Sequence, residues 1–86
     1  MKKNIYIVEG CHITNGYREP YEYHFNLGCY ATPELAQEGI DAEIAKLVTS
    51  SPKEWERKHE RRVDFIKDGR VSDVWKFAIN EIVYKF

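Results

Sequence analysis

The chain has 86 residues, 43% hydrophobic and 14% aromatic, and a formal net charge of −1 from 13 basic and 14 acidic side chains. That length bounds a single domain, 1–86, with a small core, and the apolar content excludes general disorder. The charge balance argues against gripping a polyanion through its phosphates, which calls for a basic excess, and no apolar run approaches the roughly 20 residues of a membrane span.

The N-terminal stretch "MKKNIYIVEG" has a short apolar run that Glu9 soon breaks. It lacks a secretory h-region and a small-residue cleavage site, so it predicts the first strand of a cytoplasmic protein. In "NIYIVEGCHI", Ile5, Ile7, Cys11 and Ile13 share a parity that Glu9 interrupts. The linker "TNGYREP" contains the turn dipeptide Asn15-Gly16 and then Pro20. A two-residue turn there would place Pro20 inside the pairing, opposite Cys11, so a longer loop is expected.

"YEYHFNLGCY" alternates with period two. Tyr21, Tyr23, Phe25, Leu27 and Cys29 are expected on the core face, with Glu22, His24, Asn26, Gly28 and Tyr30 on the other. Pairing from Ile13 opposite Tyr21 would set Cys11 opposite Tyr23 and Cys29 opposite Ile5. The two sulfurs would then lie roughly 20 Å apart at ~3.4 Å per residue. That is far beyond disulfide reach, so two buried reduced thiols are expected.

"ATPELAQEGIDAEIAKLVTSS" predicts a helix. Thr32 is the N-cap, Pro33 takes the first helical position and Glu34 sits in the first turn. Ala36, Ile40, Ile44 and Leu47 make the buried stripe. Gly39 costs propensity but permits close approach to the sheet. "SPKEWERKHERR" then reads as a second helix, with a Ser51–Glu54 capping box, Pro52 at its first position and a Glu54–Lys58 pair at i,i+4. A stripe of Trp55, His59, Arg62/Val63 and Ile66 would anchor it until Asp68-Gly69. The competing pattern ends that helix near Arg62 and folds "VDFIKDGRV" as a hairpin. "DVWKFAINEIVYKF" is apolar on both parities and rich in β-branched and aromatic residues, which predicts a strand from about Lys76 to Phe86 in a central position. The expected fold is therefore α+β: a small antiparallel sheet, β-β-α-α-β, with helices packed on one face.

The segments "IYIVEG", "YHFNLGCYATPELAQEGIDAEIAKL" and "FAINEIVYKF" resemble a type common among small uncharacterised phage and bacterial proteins. There a hairpin leads through a "(Y/F)-x-(T/S)-x-E-x-A" helix start to a closing "I-x-E-(I/V)-x" strand. The resemblance covers about two thirds of the chain and brings no catalytic residues. It implies an accessory protein that binds and blocks or redirects a host protein. The insert from Ser50 to Asp73 departs from the compact pattern.

Three constellations carry functional expectations. Between Lys53 and Arg62, five basic residues are interleaved with Glu54, Glu56 and Glu60. That predicts a solvated, ion-paired helix, with Arg57, Arg61 and Arg62 as the residues that would meet phosphate in a nucleic-acid-binding alternative. His12, Glu22 and His24 share a parity and could converge as metal ligands, but no ligand-spacing signature accompanies them, and no metal or other cofactor is expected. The aromatics exceed what one short sheet and one helix can bury, and Tyr and Trp are enriched at interface hot spots. Tyr6 and Tyr30, expected on the face opposite the core, could also stack bases. No nucleophile, oxyanion site or Gly-rich phosphate loop appears, so the chain reads as a non-enzymatic protein-binding module. Its candidate binding residues are Tyr6, Tyr30, Trp55, Arg57, Arg61, Arg62 and Trp75. The expected partner is a protein, with self-association through a strand edge or the second helix as a variant of that reading.

Overall fold

A computed structural model describes residues 2–14, 21–50 and 55–85. The Asn15-Gly16 dipeptide, Pro20 and the Ser51–Glu54 capping box lie outside the described residues. The elements are β1 (Lys2–Thr14), β2 (Tyr21–Tyr30), α1 (Pro33–Ser50), β3 (Trp55–His59), β4 (Arg62–Lys67) and β5 (Arg70–Lys85). The strands form a five-stranded sheet in the order β2-β1-β5-β4-β3, and every neighbouring pair is antiparallel.

The expected second helix is a strand pair. This corrects the β-β-α-α-β reading to β-β-α-β-β-β, with one helix among the described residues. The physical cause sits at Asp68-Gly69, where both residues have positive φ, 52° and 71°. That is the backbone of the two-residue turn whose twist matches a hairpin, and it lays Lys67 opposite Arg70. Val63 to Ile66 are then buried one after another on β4. The charged run becomes β3, an edge strand, where Lys and Glu side chains block further strand addition. The i,i+4 signals are real but local, and sheet pairing overrides them.

The helix follows its sequence signals. The Leu35 amide donates to Thr32 Oγ1 at 3.1 Å and the Ala36 amide to the Thr32 carbonyl at 3.1 Å, which caps the N-terminus. Ala36, Ile40 and Ile44 are buried and Leu47 half-buried. They meet Val8, Val63, Phe65 and Phe77 from three strands to make the core. Gly39 lies against the Tyr30 ring, so close that a methyl group there would overlap it. β5 lies at the centre of the sheet, as a strand with apolar residues on both faces should.

The register of β1 differs from the expected one. The outermost pair is Thr14 with Tyr21, and His12 stands opposite Tyr23. A slip of one residue exchanges the two faces of a strand, so Tyr6 and Val8 face the helix while Ile5, Ile7, Cys11 and Ile13 face away. β1 has apolar residues on both parities, so its alternation cannot select a face. A bulge then adds Leu27 to β2 between the Val8–Gly28 and Glu9–Asn26 pairs. Beyond it Tyr30, not Cys29, packs on the core side. Both cysteines are free, Cys11 buried and Cys29 exposed, so the expectation of a buried thiol holds for Cys11 alone.

The molecule measures 53 × 24 × 16 Å. At about 1.5 Å per residue the 18-residue helix covers roughly half of that length. One sheet face is therefore partly roofed, and no described helix covers the other. Among the described residues no helix is long and apolar enough to cross a membrane.

Candidate functional site

The face away from the helix brings together groups that are distant in sequence. Cys11 on β1 pairs with His24 on β2, and Glu22 lies two residues along β2 on the same face. The Cys11 thiol donates to Glu22 Oε1 at 3.3 Å, and His24 Nε2 lies 3.4 Å from the same oxygen. The three donor atoms fall within 4.8 Å of one another. Burial pushes the Cys11 thiol above its ordinary value, and the hydrogen bond to Glu22 and the carboxylate charge add to that, while Lys76 opposes it. Lys76 stands directly across from Cys11 on β5. A shallow groove of about 340 Å³ opens beside the cluster, lined by Glu9, Cys11, His24, Lys76 and Ala78 among others.

The register decides which residues meet here. The sequence pattern grouped His12, Glu22 and His24; the structure keeps Glu22 and His24 and replaces His12 with Cys11. His12 is on the helix side. Its ring stacks on Trp75 with centroids 3.8 Å apart and planes 8° from parallel, and Nε2 lies 2.8 Å from Asp73 Oδ1.

A second cluster centres on Asp64 in β4. Its side chain is 1% exposed, and it carries the buried charge for two arginines. Arg57, across the β3–β4 pair, reaches Oδ2 through Nε at 3.2 Å and Nη2 at 2.9 Å. Arg62 Nε reaches Oδ1 at 2.8 Å, and His59 Nε2 lies 3.8 Å from Oδ2. Burial alone would raise the Asp64 pKa. The hydrogen bonds and charges of Arg62 and Arg57 outweigh it and hold the carboxyl below its ordinary range. Arg61 turns the other way and donates to Gln37 Oε1 at 2.8 Å, while Gln37 Nε2 donates to the Glu60 carbonyl at 2.9 Å. These two bonds tie the β3–β4 turn to the helix.

The candidate binding residues therefore separate. Arg57 and Arg62 are engaged by Asp64 and Arg61 by Gln37, so they form no shared cationic ridge. Tyr6 and Tyr30 are paired across β1–β2, but they pack on the helix side against the core. That corrects their expected place on the opposite face and removes them as a base-stacking platform. Trp75 is half-buried between His12 and the edge of Phe25, whose centroid is 5.8 Å away. Trp55 opens β3 opposite Ile66; its side chain lies outside the described residues. Sequence reasoning missed Cys11 and Asp64 as cluster centres. No spacing signal pointed to either, because Cys11 meets His24 only through the Thr14–Tyr21 register.

No family model, no curated protein and no solved structure matches the chain.

Proposed function

We propose that the chain is a non-enzymatic protein-binding module that docks through the face away from its helix, in the manner of an accessory protein that blocks or redirects a host protein. The observation that supports this reading is the one-sided roof. A five-stranded sheet with a single described helix on one face leaves Ile5, Ile7, Ile13, Val74 and Ile82 on the other, each at least partly exposed. Sheets bury an apolar face against a second layer, and a partner protein supplies that layer here. The dispersal of Arg57, Arg61 and Arg62, together with Tyr6 and Tyr30 packed on the core side, speaks against the nucleic-acid alternative.

The test uses the cross-strand pair Ile5–Ile82. Changing Ile5→Lys together with Ile82→Glu makes the patch polar, keeps the net charge and offers a cross-strand ion pair in place of the apolar one. The wild-type chain is expected to capture a stoichiometric protein from a lysate of its source cells, and the double variant to lose it while keeping its unfolding midpoint. Equal capture by both, or none by the wild type, overturns the reading. Light scattering on the purified chain distinguishes a second copy from a different protein as the occupant.

A further inference from the structure

We propose that Cys11, Glu22 and His24 form a binding site for a divalent transition ion of the zinc type, with three protein ligands and one coordination position open to solvent. The site lies on the same face as the docking surface but does not depend on it.

The donor chemistry is selective. One thiolate, one imidazole and one carboxylate is a set that suits borderline-soft ions and not Mg²⁺ or Ca²⁺, which take oxygen ligands. The spacing fits as well. Zn–S of about 2.3 Å with Zn–N and Zn–O of about 2.0 Å, at tetrahedral angles, sets donor atoms about 3.3–3.5 Å apart. Cys11 Sγ and His24 Nε2 already stand 3.3 and 3.4 Å from Glu22 Oε1. An ion would replace the thiol hydrogen bond: an S–metal bond forms and the thiol proton leaves to solvent. The ligands project from two hydrogen-bonded strands, so only side-chain rotations are needed to close the site. The exposures are graded in a useful way. Cys11 is 9% exposed, while the His24 and Glu22 side chains are 70% and 56% exposed. The sulfur is thereby sheltered, and the ion has an entry path and an open fourth position.

The Asp64 cluster offers no comparable site, because two guanidinium groups already occupy its carboxylate. Lys76 is an adverse feature of the proposed site. It sits across from Cys11, and its ammonium opposes a second cation.

Co²⁺ and Zn²⁺ are the probes, added to the 86-residue chain after it has been stripped with a chelator and kept reduced without thiols. One equivalent of Co²⁺ is expected to give a near-ultraviolet thiolate-to-cobalt band, which Zn²⁺ then displaces. Cys11→Ser is expected to abolish the band, and Cys29→Ser to leave it intact. His24→Gln and Glu22→Gln, both at exposed positions that tolerate change, are expected to weaken binding by more than about tenfold, the least that losing even an outer-shell partner costs. Lys76→Met is expected to tighten it. Absence of the band in the wild type overturns the site. So does a band that follows Cys29 instead of Cys11, or one that His24→Gln and Glu22→Gln both leave unchanged.

Discussion

Cys11 stands opposite His24 across the β1–β2 pair, and the neighbouring pair, His12 with Tyr23, points to the other face. That single alternation puts a thiol rather than a second imidazole beside Glu22, and it puts His12 under Trp75. The chemistry of the helix-free face and the packing of the helix-side face both follow from one register.

The contact between Gly39 and Tyr30 inverts the usual effect of glycine in a helix. Gly39→Ala would normally stabilise by about 1 kcal/mol. Here the added methyl overlaps the Tyr30 ring, so the variant is expected to lose about 1–3 kcal/mol, the usual range for overpacking. Urea unfolding measures this. A net gain in stability would mean that the tyrosine ring has another place to go.

Gly69 has φ of 71° and nothing near the position a Cβ would take. Gly69→Ala therefore isolates the backbone penalty of a left-handed residue, about 1–2 kcal/mol. A loss of that size in the thermal or urea midpoint is expected. A neutral result would show that the β4–β5 turn tolerates a different backbone geometry.

Asp64 links stability to pH. Its carboxyl is held below the ordinary value of 3.8 by Arg62 and Arg57, against the opposing effect of burial. The unfolded chain therefore takes up this proton first as pH falls. The stabilisation is complete above about pH 4 and is lost as pH drops through the lower, folded value. Asp64→Asn is expected to cost about 1–3 kcal/mol at pH 7, a modest figure because Arg57 and Arg62 are half-exposed. The gap from the wild type should narrow as pH falls below about 4. Urea midpoints from pH 7 to pH 2.5 measure it; a gap that stays constant across that range would assign the loss to packing.

The two faces of the sheet should respond differently to truncation. Ile40 is 0% exposed between helix and sheet, whereas Ile82 is 37% exposed on the other face. Ile40→Ala is expected to cost about 2–5 kcal/mol, and Ile82→Ala less, about 1–2 kcal/mol in the isolated chain, since over a third of that residue is still in water. A large loss from Ile82→Ala, with light scattering showing a dimer, would identify a second copy as the cover for that face.

Local pattern was enough to place the helix, through Thr32, Pro33 and the Ala36–Ile40–Ile44 stripe, and to mark β1, β2 and β5 as strands. These are properties of local periodicity and capping, which a chain carries before it folds. Asp68-Gly69 carried the β4–β5 hairpin too, but the Glu54–Lys58 pairing and the apolar stripe through Trp55 competed with it. Only the pairing of β4 between β3 and β5 resolved that segment, because it buries Val63 and Phe65 in the core beneath the helix, a tertiary gain that the i,i+4 signals do not register. The tertiary structure alone decided which face each β1 side chain occupies. Tyr6 and Val8 compete with Ile5 and Ile7 on nearly equal apolar terms, so the choice fell to the Thr14–Tyr21 register, the Leu27 bulge and the ring of Phe25, which lies where a Gly10 side chain would be. With that choice came the grouping of Cys11, Glu22 and His24, which no spacing along the chain could display.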